Sequence, residues 1–134
     1  MQPLEVLVEG TGKANLSPLV IGADRAEADL VKQLSEFSKL SVGWDGESAA
    51  RPSDDAIDDA IRFVQVAGHL ANNLEPTLHA DGSVILEVGD GEEGALRFRG
   101  DASVIYAIGK VPPGREPFDG FSIPQKVQAA LQSL

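Results

Sequence analysis

The sequence predicts an α+β fold: an antiparallel β-meander of about four strands packed against two main helices, plus a short C-terminal helix. Three observations lead there. Apolar residues recur at helical spacing between Asp24 and Ala71, alternation takes over from Pro76, and short Gly- and Asp-rich turns separate the alternating runs. A chain of 134 residues is long enough for one real core, so residues 1–134 are read as a single domain. Within it, 1–23 reads as an N-terminal strand and loop, and 109–121 as a Pro/Gly-rich connector.

Leu4-Glu5-Val6-Leu7-Val8-Glu9 alternates well enough for a short strand, and Gly10-Thr11-Gly12-Lys13 reads as a turn. The glycines there lack the spacing of a phosphate loop. Pro18 argues against a helix running through this region. Asp24 is the expected N-cap of the first helix, with Glu27 at the reciprocal capping position. Leu30, Leu34 and Phe37 form its apolar stripe, and Lys32–Glu36 is an i,i+4 ion pair worth about 0.2–0.5 kcal/mol. The helix fades near Lys39 to Ser41, before Gly43.

Leu40 to Ser53 then holds the only tryptophan, in Gly43-Trp44-Asp45-Gly46-Glu47-Ser48. The expectation is a compact hinge between two helices, anchored by the indole of Trp44 and tied by Asp45 to loop amides in an Asx-type turn. With the indole fully buried, Trp44→Ala costs roughly 3–5 kcal/mol. Pro52-Ser53 opens the second helix, with Ser53 as N-cap and Asp54 and Asp55 at its positive end. Ile57, Ala60, Ile61, Val64 and Ala67 mark a helix from about Asp54 to Ala71, ending at Asn72-Asn73. Asp54, Asp55, Asp58 and Asp59 make like-charge i,i+4 pairs, which are mildly destabilising unless compensated. The bland compensation is that Asp54 and Asp55 satisfy the helix dipole and Asp58 pairs with Arg62; the functional reading is a metal site or, ahead of it, a docking patch for basic residues.

Thr77 to Ala80, Asp81-Gly82, then Ser83 to Val88 reads as a hairpin with a two-residue turn. Gly89 to Gly94 is a looser connection without the ligand spacing of a calcium loop. Ala95 to Arg99 alternates, Leu96 and Phe98 inward and Arg97 and Arg99 outward, and Ser103 to Ile108 is the fourth strand. Lys110 to Gly120 reads as a loop whose Phe118, with Phe121, tucks back onto the body. A final helix starts after Ser122 with Gln125 as its capping partner, and Val127, Ala130, Leu131 and Leu134 supply its apolar side. That side covers either the same core or a second subunit.

Gly43-Trp44-Asp45-Gly46-Glu47-Ser48-Ala49, then Arg51-Pro52-Ser53, Ala56, Ala60 and Phe63, and the Asp81-Gly82-Ser83-Val84 hairpin with Leu86-Glu87, resemble a known pattern. It is that of a small uncharacterised bacterial protein family with a Gly-Trp-Asp-Gly loop and an Asp-Gly β-hairpin. Ser48, Arg51 and Val88 stand where that family has glycine, proline and tryptophan. The resemblance spans about residues 30–108 and implies a fold; no activity is carried over with it.

Composition narrows function. The chain has 21 acidic and 11 basic side chains, a formal charge of -10, which opposes binding to a nucleic-acid backbone and leaves two readings, an acidic surface that merely keeps the chain soluble or a basic protein partner. There is no cysteine, so disulfides, thiolate catalysis and Cys-based metal sites are excluded, and a reducing cytoplasm fits. No stretch reads as a signal peptide or a membrane span, so no membrane association is expected. His69 and His79 lie in different elements, without H-E-x-x-H spacing, and no serine sits in a G-x-S-x-G elbow. No catalytic, metal or cofactor residues are therefore assigned, and no cofactor is expected.

The leading expectation is a non-enzymatic protein-interaction or accessory/regulatory protein, with Trp44, Asp45, Glu47, Arg51, Asp55 and Asp59 as the candidate interaction surface. The alternative is a small hydrolase-like enzyme with a carboxylate/histidine site near the Trp44 loop, drawing on Asp45, Glu47, Arg51 and His79. The sparse aromatic core and the terminal helix also suggest a homodimer.

Overall fold

A computed structural model describes residues 18–134, with side chains from residue 26 onward. The expected strand at Leu4–Glu9 and the turn at Gly10–Lys13 lie outside the described residues. The element order is α1 (Pro18–Phe37), α2 (Asp54–Ala67), a 3-10 helix (Gly68–Asn73), then β1 (Leu74–Leu78), β2 (Val84–Val88), β3 (Gly94–Phe98), β4 (Ser103–Ile108), β5 (Gly114–Pro117) and α3 (Gln125–Gln132). The strands form one antiparallel meander in the order β1-β2-β3-β4-β5.

The helix starts differ from expectation where proline is involved. α1 begins at Pro18, so Asp24 lies inside the helix and is not its N-cap. Proline is excluded from helix interiors but suits the first turn, where its missing N–H has no partner to lose. At the far end, Ser38, Lys39 and Leu40 donate backbone hydrogen bonds three residues back, tightening the last turn. Glu36 pairs there with Lys39 at 3.2 Å, and the expected Lys32–Glu36 pair does not form. α3 starts at Gln125 directly after Pro124, without a side-chain cap, so the expected Ser122–Gln125 capping box is absent.

α2 follows its pattern closely. The Ser53 hydroxyl accepts from the Ala56 N–H at 3.2 Å, while Ala56, Ile57, Ala60, Phe63, Val64 and Ala67 are buried. The α-helical turn stops before Gly68 rather than running to Ala71, because Gly68 turns the chain with φ 58° and the six residues Gly68–Asn73 wind as a 3-10 helix.

The sheet places alternate side chains on the two faces. Val84, Leu86 and Val88 of β2, Leu96 and Phe98 of β3, and Val104, Tyr106 and Ile108 of β4 point into one core shared with all three helices. Phe63, Phe98 and Phe118 meet edge to face at its centre, with ring centroids 5.5, 5.7 and 6.4 Å apart. Val127, Ala130 and Leu131 of α3 join the same core, while Leu134, on the same apolar side, is half exposed.

Two strands depart from expectation through proline. β1 begins at Leu74 and contains Pro76, which an edge strand tolerates because one row of its amides has no ladder partner. β5, read from sequence as loop, is a fifth strand inside the 109–121 connector; it too is an edge strand, short and ending at Pro117. The β1–β2 turn is longer than two residues. His79 N–H bonds to the Ser83 carbonyl and Gly82 N–H to the His79 carbonyl, leaving Ala80, Asp81 and Gly82 as the connection, with Gly82 at φ 91°.

Candidate functional site

The loop from Ser38 to Ser53 is held at its C-terminal end. Ala50 N–H donates to the Ala80 carbonyl at 2.7 Å and Ser53 N–H to the Gly82 carbonyl at 2.9 Å, so the loop is laid against the β1–β2 turn. A Cβ at Gly82 would fall 2.9 Å from the Arg51 carbonyl oxygen, which is why the close approach needs glycine there. Within the loop, Asp45 Oδ1 accepts from Glu47 N at 2.9 Å and Ala49 N at 3.3 Å, the Asx-type role expected of it. Trp44 is half-buried, less than the sequence suggested, and its Nε1–H donates to the Ala50 carbonyl at 2.8 Å.

Arg51 is committed to structure. Its Nη2 reaches the Ser38 carbonyl at 3.2 Å and Asp54 Oδ1 at 3.3 Å, tying the end of α1 to the start of α2. Glu47 is exposed and projects from the loop. His79 Nδ1 lies 3.1 Å from Asp81 Oδ1 and accepts from the Asp81 N–H, while His69 is exposed in the 3-10 helix. Among the described residues no side chain–side chain hydrogen bond links Asp45, Glu47, Arg51 and His79 to one another; the one bond within the set is the Glu47 backbone N–H to Asp45.

Asp55 and Asp59 stand apart from that loop, on α2. With Asp58 they form one wall of a cleft of about 330 Å³, whose other wall is Asp119 and Gly120 and whose floor is Phe118. The β3–β4 turn closes its end: a Cβ at Gly100 would fall 2.9 Å from both Asp55 Cβ and Ser53 Oγ. The expected Asp58–Arg62 ion pair does not form; the Arg62 stem lies along Gly120 instead. Burial raises the Asp59 carboxyl above its ordinary value, and the neighbouring Asp55 and Asp101 charges add to this against the Ala102 amide and Arg62. A cation entering this cleft relieves the repulsion.

Two residues beside the cleft were not flagged by sequence. Asp119 Oδ1 accepts from Phe121 N at 2.8 Å and Ser122 N at 3.2 Å, and these two amides hold its carboxyl below the ordinary value. Phe121, expected to tuck inward, is instead 80% exposed, presented on the turn that Asp119 fixes. No local signal separates Phe121 from Phe118, which is buried; only the Asx turn at Asp119 distinguishes them.

Among the described residues no three His, Asp or Glu side chains come together to hold a metal ion. No helix among the described residues is long and apolar enough to cross a membrane. Compared with known proteins, the chain matches no protein-family model, no curated protein and no solved structure. The resemblance in the Gly-Trp-Asp-Gly loop and Asp-Gly hairpin therefore rests on those residues themselves.

Proposed function

We propose that this is a non-enzymatic interaction or accessory protein of the cytoplasm that takes a basic segment of another protein in the acidic cleft beside α2. The observation that carries the reading is Phe121: a large aromatic side chain, exposed, and held by Asp119 at the edge of a cleft walled by Asp55, Asp58 and Asp59. Exposed aromatics set in a polar rim are the usual anchors of protein interfaces. Carboxylates around such an anchor add steering and orientation toward a cationic partner. The Trp44 loop contributes Glu47 and the exposed edge of its indole as a secondary surface.

The test compares affinity capture from the native host at low salt using wild type, Phe121→Ser and Asp55→Asn/Asp59→Asn proteins. A partner held by wild type and lost from both variants, and released as salt rises, supports the reading. Undiminished capture by both variants overturns it. Light scattering on the purified chain separates a second copy, the expected homodimer, from a different partner.

A further inference from the structure

A second cavity, of about 560 Å³, lies where the β4–β5 turn meets α3. It falls in the size range of small-molecule sites. Val111, Pro112 and Pro113 from the turn and Ala129 and Ala130 from α3 supply apolar walls, and Tyr106 forms the inner surface. Tyr106 is 4% exposed, and among the described residues its hydroxyl has no hydrogen-bond partner. A buried hydroxyl without a partner is unfavourable, and folded proteins rarely leave one so.

The backbone is shaped around that hydroxyl. Gly114 is the residue opposite Tyr106 in the β4–β5 register, and a Cβ there would fall 2.8 Å from Tyr106 Oη. Phenylalanine at position 106 would keep the packing without the polar group, so the oxygen serves something other than filling the core. At the rim, Lys126 brings a positive charge into an acidic molecule, while the Arg115 guanidinium is taken up by Asp101 and Ser103. Glu116 sits 3.9 Å from Lys126, longer than a hydrogen bond, so that ammonium retains donors for a ligand.

We infer that the Tyr106 cavity is a binding site for a small apolar monocarboxylate. The hydrocarbon body lies between the prolines and α3, the carboxylate accepts from Tyr106 Oη, and Lys126 balances its charge. The single rim carboxylate, Glu116, disfavours ligands with a second acidic group. This site is independent of the acidic cleft and of the protein-docking reading.

The probes are 3-phenylpropanoate and its neutral amide, titrated into the full chain. Binding is followed by calorimetry and by the ring resonances of Tyr106, the only tyrosine. Saturable binding of the acid within about 10 mM is expected, with the amide about tenfold weaker, a gap of roughly 1.4 kcal/mol. Tyr106→Phe, checked for its thermal unfolding, should weaken the acid by a similar factor, and Lys126→Ala by about threefold. Absence of saturation, or equal binding of acid and amide by wild type, overturns the inference even if Tyr106→Phe fails to fold. Equal binding of the acid by a folded Tyr106→Phe variant overturns it as well.

Discussion

Asp81 and Asp101 occupy equivalent places in two different turns of the sheet. Each accepts from the hydroxyl of the serine two residues on, Ser83 and Ser103, at 2.6 Å. Each also receives the Nη2 of an arginine from a later strand, Arg97 of β3 and Arg115 of β5. The same arginines donate through Nε to the serine hydroxyls, at 3.0 and 3.1 Å. Both turns are thereby locked to a neighbouring strand by a three-residue relay of charge-assisted hydrogen bonds. Arg97, assigned outward from alternation alone, points to the uncovered face of the sheet as expected, where the relay half-buries it.

The two relays differ in the residue between aspartate and serine. Gly82 holds φ 91°, while Ala102 holds φ 60° with a side chain. An L-residue in that left-handed region costs about 1–2 kcal/mol, and glycine's greater unfolded-state freedom offsets part of the gain on replacement. Ala102→Gly should therefore raise stability by about 0.5–1 kcal/mol, read as a higher urea midpoint at unchanged slope. A lowered midpoint would mean that the alanine methyl makes packing contacts worth more than its strain.

The Asp81 relay predicts a pH dependence. Burial acts to raise this carboxyl, but the Ser83 hydrogen bonds and the charges of Arg97 and His79 outweigh it and hold the group far below its ordinary value. A depressed carboxyl contributes stability above its unfolded value, near pH 4, and loses it as pH falls toward the folded value. The side chain is 41% exposed, so solvent screening limits the effect. Asp81→Asn should lower stability at pH 7 by about 1 kcal/mol, and the gap to wild type should be narrower at about pH 2, closing only as the pH reaches the folded value. Denaturant midpoints measured at both pH values check this; a gap that persists unchanged at low pH would place the loss in turn geometry rather than charge.

These relays also show what could be read in advance and what could not. Local rules were sufficient where a feature depends on residues close in sequence. Ser53 as a cap, the Leu96/Phe98 alternation and the amide contacts of Asp45 all match expectation. They failed where proline's meaning depends on tertiary position: Pro18 opens α1, and Pro76 and Pro117 sit in edge strands, each a place where a missing N–H goes unneeded. The relays join residues from different strands, and the acidic cleft joins α2 to Asp119 and Gly120. No spacing rule reaches across those intervals, so Asp55 and Asp59 were legible as candidates while Asp119 and Phe121 were not.

Trp44 tests how far the loop depends on its indole. Half-buried, it loses less area on truncation than a core aromatic, and it makes a single side-chain hydrogen bond, to the Ala50 carbonyl. Trp44→Ala should cost about 2 kcal/mol, below the figure for a fully buried indole, and Trp44→Phe about 1 kcal/mol by removing the hydrogen bond alone. Equal losses in the two variants, measured by equilibrium unfolding, would assign the anchoring to the hydrogen bond and none to the ring.

Asp59 carries the opposite sign from Asp81, and the contrast bears on the cleft. Its carboxyl is raised, first by burial and then by Asp55 and Asp101, so the folded state binds its proton more readily than the unfolded chain does. By linkage, stability then falls as pH rises from the ordinary value through the raised one, and the penalty is complete above it. Asp59→Asn keeps an oxygen able to accept from the Ala102 amide while removing the charge. It should stabilise the protein by about 0.5 kcal/mol at pH 7, the scale of like-charge relief between helical neighbours, and by nothing below about pH 3.5. Destabilisation at pH 7 would show that the charged form of the Ala102 hydrogen bond outweighs the repulsion. If the variant is more stable yet loses partner capture, the repulsion is retained for binding: a charge unfavourable to the free fold becomes favourable once a cation enters the cleft.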